Sequence, residues 1–143
     1  MVDTFENTGV IVYEQGPSPY MSFYAGETLS AGDVVYISAD GTVSKTTTSG
    51  QGFIGVVTVG GASGKKVTVA VRNAKVRAKA YGTVTANDAI VAGPGGTVMT
   101  LADVAAGDLS TSAATATAIN NAKSRRATCD TGAASGGLAV IIL

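Results

Sequence analysis

The feature that most constrains this chain is a phrase written twice. Thr28 to Val43 reads TLSAGDVVYISADGTV, and Thr83 to Val98 reads TVTANDAIVAGPGGTV. With Leu29 set on Val84, Ala31 meets Ala86, Asp33 meets Asp88, and Gly41-Thr42-Val43 meets Gly96-Thr97-Val98. Each copy has a polar turn, a short apolar run, a Gly-containing turn and a Thr-Val return. Gly and Asn tolerate positive φ and Asp bonds its own nearby backbone, so these are turn signals with a mechanism. Asp40-Gly41 between apolar runs predicts a tight hairpin. A second correspondence follows. Gly61-Ala62-Ser63-Gly64 leads into Val67–Val71, and Ala133-Ala134-Ser135-Gly136 leads into Leu138–Leu143. Its offset is longer, and the surplus falls in residues 101–121. The chain therefore reads as two related β units, about 26–72 and 82–143, with an insertion in the second.

The insertion opens with Leu101–Ala106, where Thr100 as N-cap and Gly107 as stop would allow one short helix. Ser124–Cys129 reads as the strand before the last turn. Strands dominate otherwise, so the class is mostly β, as a barrel or sandwich. Between the units, residues 73–81 alternate. Lys75, Arg77 and Lys79 fall on one face of a strand, and Val76, Ala78 and Ala80 on the other. Two readings stand: a half-buried strand with a solvated basic face, or a basic stripe that docks on an acidic protein surface.

Residues 1–25 read as an extended N-terminal arm. Gly9–Tyr13 is strand-like, whereas Gln15–Tyr20 holds two prolines that remove donors and fix φ. Most of the aromatic residues cluster in this leading part of the chain. Aromatics and Met are enriched at interfaces, so Phe5, Tyr13, Tyr20, Met21, Phe23 and Tyr24 are candidate contacts with another subunit. The alternative is that the rings fill this domain's own core, which is the better reading for Tyr36.

The chemistry of catalysis is missing from the sequence. Histidine is absent, which removes the usual general base and the commonest metal ligand. The lone Cys129 reads as a small buried group rather than a nucleophile. No acid or Cys cluster has metal-ligand spacing, and Gly93-Pro94-Gly95-Gly96 lacks the Lys-Ser/Thr of a phosphate loop. The expectation is no enzyme, no cofactor and no metal. Net charge is zero, which argues against nucleic acid or an acidic membrane as partner. No apolar run is long enough to span a bilayer, and the first residues lack a secretory layout, so synthesis in a host cytoplasm is expected. Only 14% of residues are charged, against about 25% in an average soluble domain. A poorly charged surface tends to self-associate, which points to an assembly component.

The order AGETLSAGDVVYIS, GFIGVVTVGGASGKKVTVAV, AKAYGTVTANDAIVAGPGGTVMT and a closing GAASGGLAVIIL resembles the capsid cement, or head decoration, proteins of tailed bacteriophages. The resemblance covers about residues 25–143. It implies a small β-barrel or β-tulip-like domain, commonly a homotrimer, on the outer surface of an icosahedral head. The implied partners are the major capsid protein and further copies of the chain itself, and the implied role is to reinforce the shell. A carbohydrate- or receptor-binding β module of a tail fibre or adhesin is the alternative. Sugar sites favour exposed Trp or Tyr beside Asp/Asn clusters, and Trp is absent.

Overall fold

The computed structural model describes residues 19–101 and 127–143, which carry ten strands and no helix. Phe5, Tyr13 and the helix expected from Leu101 to Ala106 lie mostly or wholly outside these residues. The first unit holds β1 (Tyr20–Ala25), β2 (Val34–Ala39), β3 (Thr42–Lys45), β4 (Gly55–Val59) and β5 (Lys66–Ala70). They close into a barrel in the order β1-β3-β2-β4-β5. The second unit holds β6 (Lys75–Lys79), β7 (Ala89–Gly93), β8 (Thr97–Thr100), β9 (Ala127–Thr131) and β10 (Leu138–Ile142). They form a sheet in the order β6-β10-β9-β7-β8. The fold is the small, mostly-β barrel architecture the repeated phrase predicted.

The duplication extends to individual hydrogen bonds. Ser30 N–H donates to Asp33 Oδ2 at 2.8 Å, and Thr85 N–H donates to Asp88 Oδ2 at 2.8 Å. Leu29 and Gly61 exchange main-chain bonds, as do Val84 and Ala133. Gly32 N–H meets Val57 O and Asn87 N–H meets Cys129 O, both at 2.8 Å. Asn87, at φ 71°, supplies the left-handed turn that Gly32, at φ 93°, supplies in the first copy. At the hairpin tips Gly41 and Gly96 both take positive φ. A Cβ on Gly60 would run into Leu29 O, and one on Gly132 into Val84 O.

Two sequence boundaries move. Residues 20–25, read as the end of the arm, are the first strand of the closed barrel, paired antiparallel with β5 from Tyr20–Ala70 to Tyr24–Lys66. Residues 73–81, read as lying between the units, contain the matching first strand of the second unit, paired with β10. The two strands share almost no residues, only position in the repeat.

The units share a core. Ala25, Leu29, Val35, Val43, Val57, Val67 and Val69 fill the first barrel. Their strand neighbours Val34, Val56 and Ala70 point the opposite way and, with Phe53, join Ile90, Val98, Cys129 and Ile141 in the second cluster. Side chains alternate along a strand, so β2, β4 and β5 are buried on both faces where they run continuously apolar. A buried Val or Ile contributes roughly 1.5–3 kcal/mol, and this shared layer fixes the barrel against the second sheet.

Candidate interaction surface

Where the first barrel closes, Tyr24 N–H donates to Gly41 O at 2.9 Å. The repeat predicts the same bond from Lys79 to Gly96, and it is not made. Lys79 N–H instead reaches Gly32 O at 3.2 Å, and Gly96 O accepts from Val34 N–H at 2.9 Å. Gly32-Asp33-Val34 of the first unit is thus set into the mouth of the second sheet. Beyond it, β6 and β8 meet only through the parallel bridge Ala80–Val98. Thr46 Oγ1 donates to Gly93 O at 2.8 Å and Gly50 N–H to Ala92 O at 2.8 Å, which complete the seam.

This insertion explains the most buried carboxylate. Asp33 has 1% of its side chain exposed and pairs with Lys79 Nζ at 2.6 Å. Its repeat partner Asp88 stays half-buried and takes the Thr100 hydroxyl at 2.8 Å. Hydrogen bonds from the Thr85 N–H and the Thr100 hydroxyl hold the Asp88 carboxyl below the usual carboxylate range. Burial, with Asp88 and Asp130 nearby, pushes the Cys129 thiol up and keeps it a packing group.

Between the two units lies an open groove of about 690 Å³. Tyr20 and Thr58 come from the first barrel, and Lys75, Arg77, Leu138 and Val140 from the outer face of the second sheet. The structure therefore brings Tyr20, Lys75 and Arg77 together. The basic stripe is partly met from within, because Lys75 lies 3.5 Å from Asp130 and Lys79 is held by Asp33. Arg77 is exposed and has no ion-pair partner among the described residues.

The aromatic candidates divide. Phe23 is half-buried against the first barrel's core. Tyr20, Met21 and Tyr24 remain about half exposed, and Lys66 Nζ stands 5.9 Å from the Tyr24 ring centre. Reading the sequence alone missed Leu138 and Ile142, which are also exposed, at 53% and 43%. They sit at the outward positions of β10 opposite Lys79 and Lys75; the alternation in LAVII was the available signal. No group of three or more His, Cys, Asp or Glu among the described residues could hold a metal ion.

No known protein family matches the sequence, and no curated protein does. Among solved structures, the N base of the head fiber protein gp8.5 of bacteriophage phi29 has the same fold. The TM-score is 0.61 at 13% identity, and the match covers 87% of this chain and 92% of that one. At that identity the likeness shows a shared fold and nothing finer.

Proposed function

We propose that this chain is a structural, head-associated virion protein that binds the outer surface of a phage capsid and stabilises its lattice. The observation that carries the reading is the fold match to a phage head fiber base, over most of both chains. The surface supports it. Tyr20, Met21 and Tyr24 put large apolar groups on one strand of a closed barrel, where a barrel leaves few main-chain groups free and contact must come from side chains. A closed body with a shared core is a stiff clamp, and symmetry multiplies weak contacts by avidity. Assembly as a homotrimer on the major capsid protein is part of the proposal.

The test is addition of the purified protein to emptied, expanded heads that lack it. Saturable binding with raised resistance to heat or chelator is expected. Met21→Ala and Tyr24→Ala should each weaken binding while leaving the melting temperature close to wild type, because both side chains are already half exposed. Absence of binding and of stabilisation, or selective capture of a sugar on a glycan array, would overturn the reading.

A further inference from the structure

β6 is an edge strand of the second sheet, and only part of its outer edge is occupied. Ala80 N–H donates to Gly137 O at 2.9 Å, and hydrogen-bonded and non-hydrogen-bonded pairs alternate in an antiparallel ladder. The even-numbered residues of β6 therefore bond β10, and the odd-numbered ones turn their main-chain groups outward. Lys79 N–H finds Gly32 O on that outer side. No such partner meets the N–H and C=O of Lys75 and Arg77 among the described residues, and both residues line the open groove. Gly32 thus begins a pairing that the fold leaves unfinished over about 10 Å of strand.

The charges select the occupant. A second copy of β6 is the wrong one, because antiparallel pairing of KVRAK with itself sets Lys and Arg against Lys and Arg. Like charges directly opposite destabilise a sheet, and cations on an edge strand discourage edge-to-edge pairing. An acid is the right one. Lys79 is held by Asp33, and Lys75 stands 3.5 Å from Asp130, but Arg77 has no ion-pair partner among the described residues. Leu138 and Val140 lie beside these cations on the outer face. The inner side of the strand turns to the first barrel, where Val76 packs with Val34 and Val56. Because side chains alternate, an extended chain on this edge sets carboxylates on the side of Lys75 and Arg77 and small apolar groups on the other.

We infer that this edge is a docking slot for an extended acidic segment of another protein, which adds to β6 as a short antiparallel strand with a carboxylate on Arg77. Main-chain bonds to Lys75 and Arg77 supply the attraction along the edge. The Arg77–carboxylate contact is charge-assisted and bidentate, so it sets the register as well as the partner. Antiparallel addition is the stronger of the two orientations, because its ladder bonds run straight across the strands. The inference is independent of head binding and can fail while that reading stands.

Nuclear magnetic resonance of the isotopically labelled full-length protein tests it, with a blocked hexapeptide that alternates glutamate and valine as the probe. Saturable shifts of the Lys75 and Arg77 amides are expected. The Val43 amide, deep in the first barrel, should stay unmoved and reports that the fold is intact. Arg77→Glu should weaken binding of this peptide at least about tenfold, and a lysine–valine peptide should then bind in its place. N-methylation of the glutamates, whose N–H groups face the edge, should abolish binding, whereas N-methylation of the valines should leave it. An absence of shifts at millimolar peptide would overturn the inference. So would equal binding of acidic and basic peptides to the wild type, indifference to Arg77→Glu, or tolerance of methylated glutamates (surface attraction without strand addition). Lys75 and Arg77 amides already protected from exchange in the protein alone would overturn it too, because the slot would then be filled without a partner.

Discussion

The two units are the same motif in different circumstances. The first barrel closes on itself through Tyr24 and Gly41. The second, built from the matching turns, is held open at the equivalent place and completed by Gly32-Asp33-Val34 of its neighbour. The difference shows that local turn chemistry sets a hairpin but does not decide closure. Closure is a long-range bond, and it goes to whichever carbonyl the packing of the shared core brings within reach.

The aspartates offer the sharpest way to break this comparison. Asp33→Ala should destabilise by about 2–3 kcal/mol, because it removes a buried charge pair as well as the cap on Ser30; the partial exposure of Lys79 keeps the loss below that of a wholly buried pair. Asp88→Ala should cost clearly less, because it removes only the cap of a more exposed turn and breaks no ion pair. Chemical denaturation of the two variants measures both, and equal losses would mean that the insertion into the second sheet contributes nothing.

The glycines test the opposite claim, that the units are equivalent where they do not touch. Gly60→Ala and Gly132→Ala each push a Cβ into a main-chain carbonyl at matching positions. Each should lower stability by about 1–3 kcal/mol through overpacking, and the two midpoints should shift alike. A much smaller loss at Gly132 would show that the second unit is the looser one.

Thr46→Val removes the buried hydroxyl that bonds Gly93 across the seam. A loss of about 1 kcal/mol is expected from the broken hydrogen bond, read as a small drop in melting temperature. The smallest effect is in pH. The Asp88 carboxyl lies below its ordinary value of 3.8 in the folded chain, so it stabilises the fold above that value. The contribution disappears as pH falls through the lowered folded value. Asp88→Asn should flatten the acid limb of a stability-against-pH curve, and Thr100→Val should flatten it partly.

Much of the β body was legible beforehand. The Asp40-Gly41 hairpin, the strand at Val67–Ala70 and the closing strand at Leu138–Ile142 follow from turn residues and alternation that act over a few positions. The first strand of each unit was not legible. YMSFYA and KVRAKA have little in common as sequences, and what makes them equivalent is pairing with strands more than forty residues away in one case and about sixty in the other. Of the surface, the exposed Tyr20, Met21 and Tyr24 were visible as a cluster of aromatic and Met side chains. The partial neutralisation of the basic stripe was not, because Asp33 and Asp130 come to Lys79 and Lys75 only through the fold.

The sequence by itself determined the tandem: two sets of positive-φ turns, two Asp caps and two returning strands, all interactions between near neighbours in the chain. The tertiary structure alone decided that one copy would be a closed barrel and the other an acceptor for its neighbour. Val34, Val56 and Ala70 point out of the first barrel and into the second core. Once that apolar layer is buried, Gly32 and Val34 lie against β6 and β8, and the hydrogen bonds follow the nearest partner rather than the repeat.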